Sequence, residues 1–226
     1  MQRIPMKALI FSAMASALIV LTGCGDSATK KTATPFLIMG TSGTSVDLAG
    51  TWRQPCMYST NNSKSEISTT SVDGGNLTFS VSETLGDQTL NNCTVSPDWK
   101  MDATATIALG ATGTATWVDG AGASVTPAGI PAGALASLVT GTITKMTLTP
   151  LTSAGLLVLN AGQTCGLSGY TLNTPMNLLG SACDQSGGKL SEYWAVVDSA
   201  TPDEWYTGDD PTMPYQLGYY DPKLRQ

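Results

Sequence analysis

The chain has 226 residues, 42% of them apolar and only 12% charged, with no histidine anywhere. Its 17 acidic residues outnumber 11 basic ones, which excludes the clustered basic surface that nucleic-acid binding needs. Lack of histidine removes the commonest general base and the commonest zinc ligand, and the low charge density excludes a disordered polyelectrolyte.

Arg3 and Lys7 open the chain, and Ala8 to Leu21 then runs without a charge. That length suits the apolar core of a secretory signal but falls short of the roughly 20 residues needed to span a bilayer. Small residues follow, and then a cysteine. The tetrapeptide Leu21-Thr22-Gly23-Cys24 resembles the lipobox of bacterial lipoproteins. The resemblance implies a diacylglycerol on the Cys24 thiol, cleavage before Cys24 and acylation of the new amino terminus. Two or more acyl chains anchor stably where one holds marginally, so the membrane is the expected partner through Cys24. Gly25 precedes Asp26 after the modified cysteine, which favours the outer over the inner membrane of a bacterial envelope. Removing Arg3 and Lys7 leaves 9 basic against 17 acidic residues, a formal charge of −8. Attachment therefore rests on lipid and not on charge.

The expected organisation is a signal peptide over 1–23, a flexible tether over 24–46 and a single all-β domain over 47–226. The tether is rich in Ser, Thr, Gly and Ala, and its apolar patch Phe36-Leu37-Ile38-Met39 has two options, docking on the domain or lying against lipid. An opening strand is expected at 48–53, ended near Pro55-Cys56. Residues 64–72 and 76–84 read as a hairpin turning at Asp73-Gly74-Gly75, because Leu77, Phe79 and Val81 alternate with Thr78, Ser80 and Ser82. A further strand at 89–95 carries Cys93. Residues 101–110 and 111–120 look like two strands meeting near Gly110, and 121–138 like a Pro/Gly-rich loop with a helical turn from Pro131. Strands resume at 140–148, and 156–159 and 164–172 continue the meander. An aromatic strand follows at 190–198, then a short one at 204–207, and the tail from Gly208 reads as irregular. Strands recurring about every 8–12 residues make the fold class all-β, an antiparallel meander closed as a barrel or packed as a sandwich.

With Cys24 assigned to lipid, Cys56, Cys93, Cys165 and Cys183 remain, an even number suited to an oxidising compartment. Four cysteines allow three connectivities, and pairing of chain neighbours favours Cys56–Cys93 and Cys165–Cys183. No metal site or cofactor is expected. The acidic residues Asp198, Asp203, Glu204, Asp209 and Asp210 lack the spacing of a calcium loop and read as solvated turns.

Gly50-Thr51-Trp52 on the first strand resembles the G-x-W signature of lipocalins and related calycin barrels. The resemblance implies a small up-and-down barrel whose closed end is plugged by Trp52, with a late basic residue, Lys223 or Arg225, packed across the indole. Trp194, Trp205 and Tyr206 form a candidate binding face. No G-x-S-x-G element or S-x-x-K pair is present, and nothing selects two among Glu66, Glu83, Glu192 and Glu204 as glycosidase carboxylates, so a non-enzyme is expected. The leading functional expectation is a lipid-anchored binding protein for a small apolar molecule or lipid. The alternative is a structural or adhesive surface lipoprotein that contacts another envelope macromolecule.

Overall fold

A computed structural model describes residues 33–54, 56–59, 64–85, 96–119, 121–184, 186–200, 203–208, 213, 215–218 and 222–226. The expected signal peptide, Cys24, the strand at 89–95, Asp209 and Asp210 lie outside the described residues. In chain order the strands are β1 (Leu37–Met39), β2 (Ser45–Asp47), β3 (Gly50–Arg53), β4 (Met57–Ser59), β5 (Lys64–Asp73), β6 (Asn76–Leu85), β7 (Trp99–Thr114), β8 (Thr116–Val118) and β9 (Leu135–Pro150). Helix α1 (Ser153–Ala161) follows, then β10 (Met176–Asn177), β11 (Lys189–Val197), β12 (Glu204–Gly208), β13 (Gln216–Gly218) and β14 (Lys223–Arg225).

Strands β3, β5, β6, β7, β9, β11, β12 and β14 pair antiparallel in that sequence, and β14 returns to β3, giving one closed 8-strand barrel. The barrel, not the sandwich, is the observed closure. Its hairpin logic is local. Asp73 pairs with Asn76 across Gly74-Gly75, and Gly74 takes φ +55°, which glycine adopts without a Cβ penalty. Long β7 and β9 pair from Trp99↔Pro150 to Thr114↔Leu135, with register shifts at Thr104/Ala105 and Leu109/Thr112 that bend the ribbon round the barrel.

One buried cluster proves which face is interior. Trp52, Val72, Leu77, Ala105, Ile107, Val139, Leu190, Trp194, Val196 and Trp205 pack together and come from every barrel strand except β14. That strand adds Lys223 over the Trp205 ring and Arg225 over the Trp52 ring. The β1–β2 hairpin fills this end of the barrel with Ile38 and Leu48. Residues 33–46, expected in the tether, thus join the fold, and the apolar patch at 36–39 docks on the barrel. A backbone reason accompanies the apolar one: Asp198 accepts hydrogen bonds from Ser42 N at 3.1 Å and Thr44 Oγ1 at 2.7 Å, clamping the hairpin turn.

Further along β6 the same inner row continues as Phe79 and Val81, but here it meets Leu159, Tyr170, Leu178 and the Cys165–Cys183 disulfide. Segment 151–184 therefore covers the barrel end remote from the β1–β2 hairpin. The outer faces of β11 and β12 are covered too, since Ala195, Val197 and Tyr206 pack under Trp117, Ala134 and Leu217.

Several expected elements differ. Residues 101–120 are not two strands turning at Gly110. Strand β7 runs through it, because the bulge at Leu109/Thr112 absorbs the glycine without reversing the chain. No helical turn starts at Pro131; residues 121–134 are turns and irregular chain leading into β9. Residues 156–159 belong to α1 and 164–166 to a 3-10 turn, not to strands. Leu156-Leu157-Val158-Leu159 is helical because Thr152 Oγ1 caps the N-terminus from Gly155 N at 3.0 Å, and Asp98 O accepts from Leu151 N at 2.7 Å. The tail is also not wholly irregular. It supplies β13 and β14, and the latter closes the barrel.

Candidate functional site: a polar band inside the barrel

The inner face of β5 is Glu66, Ser68, Thr70 and Val72, all buried, whereas Ile67 on the opposite face is only half-buried. Period-two geometry forces this arrangement once Val72 pairs with Leu77 and Thr70 with Phe79. Glu66 stands directly across from Glu83, whose Oε2 accepts from Trp99 Nε1 at 3.0 Å. Directly opposed side chains on neighbouring strands have Cβ atoms roughly 5 Å apart, so two carboxyl groups share one place on the inner wall.

The other side of the barrel contributes an acid and a base. Glu192 of β11 accepts from Trp194 Nε1 at 2.7 Å. Lys223 of β14 is 3% exposed, and its Nζ lies 4.2 Å from the centroid of the Trp205 ring. Burial pushes the Lys223 ammonium down to about 8, partly offset by the negative charge of Glu192.

Above this band the aromatic rings stack edge to face, with centroids 5.6 Å apart for Trp52–Trp205, 4.6 Å for Trp194–Trp205 and 6.4 Å for Phe36–Trp194. Trp52 donates Nε1–H to Leu48 O at 2.8 Å. Three side-chain atoms on inner faces are fully buried without a hydrogen-bond partner: Ser68 Oγ, Thr70 Oγ1 and Trp205 Nε1. Such atoms cost on the order of 1–3 kcal/mol each if left so, and they mark places where a small molecule or water can be held.

The residues singled out from the sequence distribute as follows. Trp52 is fully buried at the filled end, with Arg225 across its ring at 4.4 Å, as a late basic residue was expected to be. Trp194, Trp205 and Tyr206 are not an exposed binding face. Trp194 and Trp205 are core residues inside the barrel, and Tyr206, one residue along β12, points outward under Trp117 at 5.3 Å between ring centroids. Strand alternation separates what sequence adjacency suggests. Cys165 and Cys183 are paired; Cys56 is itself disulfide-bonded, and Cys93 lies outside the described residues. Of the acidic group, Asp198 clamps the first hairpin, Asp203 pairs with Arg225 at 2.9 Å and Glu204 accepts from Tyr206 Oη at 2.8 Å.

Sequence reasoning weighed Glu66, Glu83 and Glu192 only as possible acids of a hydrolase, and missed Ser68, Thr70 and Lys223 as interior groups. The signal was present in the inverted pattern of β5, with polar residues on the face set by Val72. Among the described residues no three of His, Cys, Asp and Glu converge as metal ligands. No protein-family model matches the chain, and none of the curated proteins is significantly similar to it in sequence.

Proposed function

We propose that the chain is a lipid-anchored, extracytoplasmic, non-catalytic binding protein of the bacterial envelope, held in the outer membrane through Cys24, whose barrel interior takes a small molecule. The observation that carries the binding part is the inward-facing row Glu66-Ser68-Thr70, in which two hydroxyls have no partner in the protein. A core built for stability alone would place apolar side chains there. Compartment is supported by the Cys165–Cys183 disulfide, a bond that persists in oxidising surroundings. The resemblance to lipocalin-type barrels at Gly50-Thr51-Trp52 is supported by the up-and-down closure and by Arg225 stacked on Trp52. The polar band corrects the ligand class expected: a purely apolar molecule leaves these groups unsatisfied, so the ligand carries polar atoms.

Native mass spectrometry of protein purified from membranes tests this. A stoichiometric small molecule lost on denaturation is the expected result, and a mass equal to that of the lipidated chain alone, under conditions preserving a known complex, would overturn it. A second reading, contact with another envelope macromolecule, is favoured by Leu157 and Val158 of α1, which are 70% and 44% exposed at the covered end of the barrel.

A further inference from the structure

We propose that the barrel interior selects an organic amine, binding its ammonium group between Glu66 and the hydroxyls of Ser68 and Thr70. The inference rests on the reading of the barrel as a binding protein and narrows its ligand class.

Charge gives the sign. The described inner faces carry the carboxyl groups of Glu66, Glu83 and Glu192 against the single ammonium of Lys223, while Arg225, at the filled end, is paired with Asp203. Lys223 lies beside Glu192 and over Trp205, on the β11–β14 side. The opposed Glu66–Glu83 pair is on the β5–β6 side. Two carboxylates facing each other in a low-dielectric interior repel, and a cation between or beside them relieves that repulsion.

Donor and acceptor chemistry narrows the cation. A metal ion such as calcium asks for six to eight oxygen ligands, and among the described residues no three acidic side chains converge. A primary ammonium has three N–H donors and no acceptor. Ser68 and Thr70 each turn a hydroxyl, 1% exposed as residues and without a partner, onto the wall that carries Glu66. One carboxylate and two hydroxyl oxygens at i, i+2 and i+4 of one strand match those three donors. The hydrocarbon of the ligand then lies against Phe79, Val81, Met101 and Leu148, the inner-face neighbours of Thr70 and Ser68 across β6, β7 and β9.

The test uses two probes of equal length and opposite headgroup character, octylamine and octanol, titrated at pH 7 into the complete purified protein by calorimetry and tryptophan fluorescence. Octylamine is expected to bind at least tenfold more tightly than octanol. Glu66→Gln, which keeps shape and removes charge, is expected to abolish that preference, and Ser68→Ala with Thr70→Val to weaken octylamine at least fivefold without affecting octanol. If Glu66→Gln does not fold by circular dichroism, the double hydroxyl variant carries the decision. Equal binding of the two probes overturns the amine inference while leaving a binding barrel. Binding of neither overturns it as well, assigning the hydroxyls to ordered water, and a co-purified molecule seen by native mass spectrometry still upholds the broader reading in that case.

Discussion

Arg225→Met is expected to open the barrel at its shortest seam. Strand β14 joins β3 through only two residue pairs, Leu224↔Arg53 and Arg225↔Trp52. The Arg225 guanidinium adds to them a bond from Nε to Asp203 Oδ2 at 2.9 Å, one from Nη1 to Ala49 O at 3.3 Å, one from Nη2 to Asp47 O, and a stack on the Trp52 ring at 4.4 Å. The ion pair is about 30% exposed on each side and is worth at most about 1 kcal/mol after screening. Carbonyl bonds from a charged donor contribute about 1 kcal/mol each where water competes, and the cation–π contact about 1 more. Methionine keeps much of the apolar stem, so the loss totals about 3 kcal/mol, or a drop of roughly 6–12 °C in Tm for a domain of this size. Urea unfolding followed by tryptophan fluorescence measures it, with Trp52→Phe and the double variant completing a cycle. The expected coupling between the two positions is about 1 kcal/mol. A cost below about 0.5 kcal/mol for Arg225→Met, or additive effects of the two substitutions, would refute the claim that this stack holds the seam.

Other consequences are open to the same assays. Lys223 has a folded value near 8 against 10.5 unfolded, so the unfolded chain holds more protons between those limits. Native stability should then rise by about 2 kcal/mol from pH 7.5 to 9.5 relative to Lys223→Met, and a pH-independent difference between the two proteins would disprove it. Replacing Cys165 and Cys183 together by alanine removes a cross-link spanning 18 residues and should cost about 3 kcal/mol, with amide exchange accelerating first in 151–184; unchanged exchange there would count against its role as a cap. A Cβ on Gly141 would lie 2.1 Å from Thr106 O, so Gly141→Ala should lose about 2–4 kcal/mol by forcing β7 and β9 apart, measurable as a lowered urea midpoint. Cys24→Ala should release the protein from the membrane fraction, and full retention after carbonate washing would sink the anchor.

Much of the barrel is legible because its strands declare themselves locally. In β6 the alternation of Leu77, Phe79 and Val81 with hydroxyl residues, and the Gly74-Gly75 turn before it, specify a hairpin from neighbouring residues alone. Segment 151–166 was misleading for the opposite reason. A short leucine-rich run has no period long enough to separate strand from helix, and the Thr152 cap and its anchor on Asp98 arise from contacts 54 residues apart in the chain. The tail failed likewise: Lys223-Leu224-Arg225 has too few residues to show alternation, and becomes a strand because β12 and β3 each leave an edge to be paired.

The candidate site shows the same division. Residue types were visible in the sequence, but which side of each strand faces inward depends on the partner strand and its register. Glu66 meets Glu83 only because β5 and β6 pair as they do, and Lys223 meets Trp205 only because the last strand closes the sheet. By itself the sequence determined the all-β class, the first long hairpin, the burial of Trp52 and the pairing of Cys165 with Cys183, all carried by short-range pattern or spacing. Tertiary structure alone decided barrel over sandwich, the covering of its two ends and the polar band within it. These depend on closing one edge of a sheet upon the other, an event that no local stretch of chain encodes.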